Sequence, residues 1–300
     1  MTDRLLISLL LPTRKRPELA RRFLHSVQAT AKYLDDIEVI LYVDDDDTAS
    51  HGLDCASLKV IRIIGPRQSM GSYNTACLER ARGDIIVLAN DDVVIRTAGW
   101  DEALRLLHAS IPDGIYLAYG DDQFKGQRLS TFPVLSRHTC DILQEPYHRI
   151  YRGAFIDYHL MDIFKRLEQS GYKRIFYLPG IVFEHLHYRA GKAEIDETYS
   201  TRGRFEDDML FVGLSNVRAA SLALLLNAIK GQAGTVNKLP VFEPVGRPKT
   251  LFHALWLFTH IFLMDRELPA QWRFFMWWWF TARYLASSMI KRQPQPAGTG

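Results

Sequence analysis

Three hundred residues, 47% of them hydrophobic and 24% charged, suffice for one large α/β domain with a small appendage and exclude wholesale disorder. A formal charge of +3 is too small to indicate nucleic acid as a partner without a clustered basic face. The cysteines Cys55, Cys77 and Cys140 are widely spaced, with no CxxC pair and no even disulfide set, so a reducing, cytoplasmic setting is the default.

The apolar run Leu5–Leu11 leads into Pro12-Thr13-Arg14-Lys15-Arg16-Pro17 and not into a small-residue cleavage site, so it reads as a buried first strand and not as a signal peptide. A helix opens at Pro17, with Leu19, Phe23 and Val27 on one stripe. Glu38–Val43 and Lys59–Ile64 are the second and third strands. Ser72–Ala81 is a helix stopped near Gly83, and Asp84–Ala89 is a fully apolar fourth strand. Strands alternating with helices predict an α/β fold with a mostly parallel, doubly wound sheet. Gly and Pro cluster near Gly231–Pro248, as in a linker, and Gln293–Gly300 reads as a disordered tail.

Two apolar segments close the chain. Leu251–Met264 is shorter than the roughly 20 residues a membrane span requires. Trp272–Ile290 carries Arg273 and Arg283 within it, and charge at bilayer depth is costly. Two readings stay open: helices lying in a membrane interface with aromatic and basic anchors, or a helical hairpin packed on the main domain or on a second copy of the chain.

Ligands of open α/β sheets collect at the carboxyl ends of strands. Three polar clusters fall there: Pro12-Thr13-Arg14, Asp44 to Asp47, and Asn90-Asp91-Asp92. An apolar strand that delivers two carboxylates to a sheet edge suits a hard divalent cation bridging them to diphosphate oxygens. An ordinary strand-ending turn rich in Asn and Asp is the bland alternative.

The stretch from Asn74 to Asp92 resembles the core of the inverting GT-A glycosyltransferases of family 2, where a helix of the sense N-x-G-x-x-x-A-x-G leads into a strand ending in D-x-D. Asn90 stands here in place of the first aspartate. The resemblance implies that Asp92 ligates the metal and that Asp91 binds metal or the donor's ribose or sugar. Leu9–Arg14 is similar to the family's first strand, whose end cradles the nucleotide. Val43–Asp47 resembles the base-contacting segment, with Asp44 or Asp45 the contact and the spare carboxylates solvated. Arg67 is a further nucleotide candidate or a surface arginine.

A second match runs from Phe155 to Tyr172 and on to Tyr177–His185, similar to the family's E-D-x-x-L-x-x-R-L-x-x-x-G-Y and P-x-x-x-x-x-H patterns. It implies that Asp157 is the catalytic base, with Ile156 in place of the usual glutamate, and that His185 is a metal ligand. His187, two residues on, would face the same side and could substitute. Without the resemblance, Asp157 reads as a helix N-cap. The segment Ala190–Phe205, with Lys192, Arg202 and Arg204, has the look of a lid over the donor diphosphate or of a solvated loop. Trp100, Asp121 and Asp122 are candidates for a sugar or acceptor site, Trp100 equally for the core.

The expected organisation is a GT-A (nucleotide-diphospho-sugar transferase) domain over 1–230 with a doubly wound mixed sheet, a linker over 231–248, an aromatic helical hairpin over 249–292 and a tail over 293–300. The expected activity is Mn²⁺- or Mg²⁺-dependent, inverting transfer from a nucleotide sugar, a UDP-sugar first among them, to a glycan or lipid-linked glycan of a bacterial surface polysaccharide. The enzyme would sit in the cytoplasm at the inner membrane face, with a homo-oligomer left open. Two rivals remain: a sugar-nucleotide pyrophosphorylase, whose glycine-rich G-x-G-T/S-R-L loop is missing after the first strand, and a non-catalytic nucleotide- or glycan-binding scaffold.

Overall fold

The computed structural model describes residues 4–187, 191–192, 203, 205–232 and 239–290. The first strand, β1 (Ile7–Thr13), is buried along its whole length. Pro17 opens α1 (Pro17–Thr30), its fixed φ and missing N–H costing nothing at a first helical position. β2 (Ile37–Asp44), β3 (Lys59–Gly65), α2 (Met70–Arg80) and β4 (Ile85–Leu88) follow, each within two residues of its expected bounds at either end. Beyond them lie β5 (Val93–Ile95), α3 (Trp100–Ala109), β6 (Leu117–Asp121), β7 (Val134–Ser136) and α4 (Arg137–Leu143). Helix α5 (Ile156–Gln169) and the last strand, β8 (Ile175–His185), follow. Gly171, at φ +96°, ends α5 in a conformation that glycine adopts without strain.

The eight strands form one mixed sheet in the order β3-β2-β1-β4-β7-β6-β8-β5. β1 pairs in parallel with β2 on one side and β4 on the other. The chain therefore winds one way through β2 and β3 and then reverses to β4, creating a topological switch point between β1 and β4. That places the carboxyl ends of β2, β1 and β4 side by side, so the three polar clusters share one edge. Alternation along β1 feeds both layers: Leu9 and Leu11 pack with Phe23 of α1 and Trp100 of α3, whereas Leu10 packs with Cys77 of α2 and Leu160 of α5. Trp100 is fully buried against Phe183, 5.7 Å between ring centres, so its role is core packing and not a sugar platform.

After the sheet come α6 (Asp208–Gly213), α7 (Ser215–Ile229), α8 (Leu251–Phe258, extended by a π-helical turn Thr259–Leu263) and α9 (Ala270–Ile290). Phe258, Phe262, Met276 and Phe280 enter the same buried cluster as Leu160 and Phe164. Of the two readings of the closing helices, the hairpin packed on the main domain is thus found, with one face still bare.

A buried charge network locks this packing. The Asp162 carboxylate of α5 accepts from Arg166 Nε at 3.0 Å, Arg218 Nε of α7 at 2.8 Å and Trp272 Nε1 of α9 at 2.9 Å. Arg166 reaches on to Asp265 at 2.6 Å and Glu267 at 2.9 Å in the hairpin turn. Burial works against ionisation of Asp162, but the two arginines outweigh it and hold the carboxyl below its usual range. Asp162→Ala would leave Arg218 Nε and the Trp272 indole N–H buried without their acceptor, and a loss of about 3–5 kcal/mol in urea-measured stability is expected.

His159 of α5 provides a pH test of the same layer. It is 2% exposed and its Nδ1 lies 3.0 Å from the Tyr151 hydroxyl. Burial, aided by Arg218, pushes its pKa well below the ordinary 6.5. The unfolded chain takes up a proton below 6.5 that the fold refuses, so this stability is full above 6.5 and lost as pH falls. His159→Asn should flatten the fall of the urea midpoint between neutral and mildly acidic pH; an unchanged slope would assign that fall to other groups.

Candidate active site

The switch point opens into a cleft of about 580 Å³. Pro12, Thr13 and Arg14 from the end of β1, Arg67 from the loop after β3, and Asn90, Asp91 and Asp92 after β4 all line it. Arg16, Gln68, Ser69, Met70, Tyr73, Arg152 and Glu206, which the sequence patterns do not single out, complete its wall. Arg16 belongs to the basic run after β1 and carried a readable signal. Arg152 and Glu206, 54 residues apart in sequence and 3.1 Å apart in space, carried none.

Strand register explains how the acidic turn meets its histidine. β5 runs antiparallel to β8 with Val93 opposite His185, and Leu186 N–H donates to the Asp92 carbonyl at 2.9 Å. The register thus places Asp92 beside His185, and Nε2 of His185 lies 3.3 Å from the Asp92 carboxylate. Both side chains are buried. His185 Nδ1 has no partner among the described residues. The Phe132 ring stands edge-on to His185 at 4.9 Å. His187 lies 4.9 Å from His185 between ring centres and stacks on Phe124 at 5.6 Å. Phe124 is held by Asp122, whose carboxylate accepts three consecutive backbone N–H groups, from Phe124, Lys125 and Gly126, at 2.6–3.0 Å.

Asp91 accepts from the Thr13 hydroxyl at 2.8 Å and from Arg16 at 3.1 Å. Burial pushes its carboxyl up to about 6, against the pull of Arg16 and with a further push from the Asp92 charge beside it. Two adjacent buried carboxylates and an imidazole form an electrostatically unfavourable cluster that a cation would relieve. Among the described residues no group of three or more His, Cys, Asp or Glu forms a complete metal cage. A carboxylate and an imidazole lining a diphosphate-sized cleft still fit a divalent ion that draws its other ligands from phosphate oxygens and water.

Asp44 is fully buried, its carboxylate engaged by Arg14 and by the Tyr73 hydroxyl at 2.6 Å. Asp45 is exposed beside it. Of the acids expected to be solvated, Asp46 pairs with Arg14 at 2.8 Å and the buried Asp47 accepts from Lys15 N–H at 2.5 Å. Both organise the loop after β1. Asn74 is not on the cleft wall; its amide donates to the Met70 carbonyl one turn back, at 2.9 Å. Lys192 is 2.7 Å from Glu184 and 3.3 Å from Gln123, away from the cleft wall. Arg202 and Arg204 lie outside the described residues.

Asp157 is half-buried in the first turn of α5. The N-cap is Phe155, so the cap reading of Asp157 fails: it stands at the second helical position, where its charge suits the helix dipole. It is not on the lining of the cleft. Its carbonyl accepts from Ser130 at 3.4 Å, two residues before the Phe132 that abuts His185. Arg152 at the start of its loop is on the cleft wall, and the buried Asp207 pins that loop by accepting from the N–H groups of Arg152, Gly153 and Ala154 at 2.6–3.2 Å. Among the described residues, four of the five non-glycines with positive φ surround the site: Lys15, Gln123, Phe132 and Phe155. Such backbone costs about 1–3 kcal/mol per residue and persists where its surroundings impose it.

The model of the glycosyl transferase family 2 matches residues 8–178, more than half of the chain. The chain belongs to glycosyl transferase family 2. It is a glycosyl-transferring enzyme of GT-A fold, as the resemblance implied. Among solved structures, this family 2 chain is similar to the mannosyltransferase PcManGT from Pyrobaculum calidifontis in complex with GDP-Man and Mn²⁺, at 13% identity, TM-score 0.50 and coverage of 97% of this chain and 89% of that one. It is also similar to residues 1–349 of TarS from S. aureus in complex with UDP-GlcNAc, at 14% identity, TM-score 0.52 and coverage of 97% and 93%. At these identities the likeness speaks to the fold. No curated protein matches the chain.

Proposed function

We propose that this family 2 enzyme transfers a sugar from a nucleoside-diphosphate sugar to an acceptor hydroxyl with inversion, assisted by a divalent metal. The carrying observation is the buried Asp92–His185 pair, 3.3 Å apart, at a cleft lined by Arg14, Arg16, Arg67 and Arg152. Guanidinium groups pair with diphosphate oxygens, and a carboxylate with an imidazole suits a cation between them. PcManGT, with its GDP-Man and Mn²⁺, supports the same pairing of donor and metal. A Mn²⁺ or Mg²⁺ ion held by Asp92 and His185, with His187 as alternative ligand, would neutralise charge on the departing nucleoside diphosphate.

In this reading Asp157 takes the proton from the acceptor hydroxyl as that oxygen attacks the anomeric carbon. Pro12, Thr13 and Asn90 shape the floor under the nucleotide, with Asp44 or Asp45 toward the base and Asp91 toward ribose or sugar. Asn74 supports that wall from behind, and Lys192, Arg202 and Arg204 are proposed as lid cations that close on the diphosphate. A glycan or lipid-linked glycan of a bacterial surface polysaccharide, met at the cytoplasmic face of the membrane, is the proposed acceptor class; the exposed aromatic face of the hairpin supports it.

The test is to incubate the protein with UDP- and GDP-sugars and a panel of glycan acceptors, with Mn²⁺ or EDTA. Metal-dependent release of nucleoside diphosphate, with an anomeric configuration opposite to the donor's by NMR, is expected. Pyrophosphate-dependent formation of nucleoside triphosphate would favour the pyrophosphorylase, and binding without release the scaffold.

A further inference from the structure

The outer face of the closing hairpin has no use in the transfer chemistry. Nine of the twelve exposed large apolar side chains among the described residues lie between 251 and 289. On α9, Phe274, Trp278, Leu285 and Met289 recur at spacings of four, seven and four, so they fall on one stripe. The opposite stripe, Met276 and Phe280, is buried in the core. On α8, Phe252 is 80% and Trp256 52% exposed, one turn apart. Trp277 of α9 donates to Thr259 at 3.0 Å, so the two bare stripes are carried by helical segments that pack against each other.

Charge is as uneven as polarity. Residues 247–292 hold seven Lys and Arg against two acids, although the whole chain carries only +3. Both acids, Asp265 and Glu267, are committed to Arg166. Lys249 and Arg266 are exposed, and Lys291-Arg292 follow directly in sequence. Among the described residues no helix is long and apolar enough to cross a membrane.

We propose that this face docks on an anionic lipid surface, Trp256, Phe274 and Trp278 entering the headgroup boundary while the flanking basic residues pair with lipid phosphates. Charge complementarity selects this occupant: two copies joined through the face would bring two basic rims together. The inner side of α9 packs Trp279 on Tyr158 at 4.5 Å and on Phe155 at 5.5 Å between ring centres. Docking therefore sets the first turn of α5 about one helix diameter, roughly 10 Å, from the lipid. The proposal rests on the membrane-facing acceptor of that reading, and vesicle binding involves neither donor nor metal, so its failure would remove the membrane location and leave the transfer reaction untouched.

The test sediments the full chain with vesicles of phosphatidylcholine, with and without phosphatidylglycerol. Binding to the anionic vesicles is expected, weakened about tenfold or more on phosphatidylcholine alone or at high salt. The double variant Phe274→Ser, Trp278→Ser should lose about tenfold or more of the binding with an unchanged melting temperature. Should that variant fold poorly, quenching of tryptophan fluorescence by brominated lipid in the unmodified chain decides: quenching supports docking and its absence overturns it. The proposal also falls if the chain stays in the supernatant with both vesicles. It falls equally if sedimentation velocity shows a dimer that the double variant splits.

Discussion

Asp157→Asn is expected to lower the turnover of glycosyl transfer by about 10²–10⁴-fold, the range a positioned general base contributes. The substitution keeps the size and helix position of the side chain and removes its negative charge and with it the ability to take up a proton. Donor affinity should stay within about twofold, because the donor's diphosphate would meet the cleft arginines and not the first turn of α5. Single-turnover kinetics beside calorimetric donor binding separate the two effects. Near-normal turnover in a protein of unchanged melting temperature would remove Asp157 from the chemistry and point to another base.

Asp92→Ala should abolish the metal dependence of donor binding. Loss of a direct ligand removes a charge–charge contact worth several kcal/mol, so donor affinity in Mn²⁺ should fall on the order of 10²-fold, toward the value seen in EDTA. Calorimetry on the variant and the unmodified chain, with and without EDTA, checks this. Two equal EDTA responses would show that Asp92 holds no cation. His185→Ala should act in the same direction, since the β5–β8 register brings both side chains to one spot.

How much of this was legible in the chain divides by range of interaction. The buried strands β1, β2 and β4 announce themselves as apolar runs, and the polar residues after each mark a shared sheet edge once the strands lie parallel. Such signals are local. The meeting of Asp92 and His185 is not: they stand 93 residues apart, the family resemblance alone implies it, and their contact follows from a three-residue edge strand too short to leave a pattern of its own. The pairing of Arg152 with Glu206 was hidden for the same reason. Asp157 shows a different ambiguity, because a carboxylate near a helix start serves capping and catalysis alike; only the backbone of Phe155, at φ +68°, shows that the cap lies two residues earlier. The closing helices read both as interfacial and as packed because α9 presents a core stripe and a bare stripe around one axis.

Asp162 stands five residues after Asp157 on α5, and it receives the Trp272 indole N–H from α9. A truncated chain ending before Leu251 would therefore lose more than an appendage. Arg166 would forfeit both hairpin carboxylates, and the Tyr158 ring, next to Asp157, would lie open to water. The helix bearing the proposed base and the helix whose outer face is proposed to meet lipid are thus tied by shared buried contacts, and neither is separable from the other by shortening the gene.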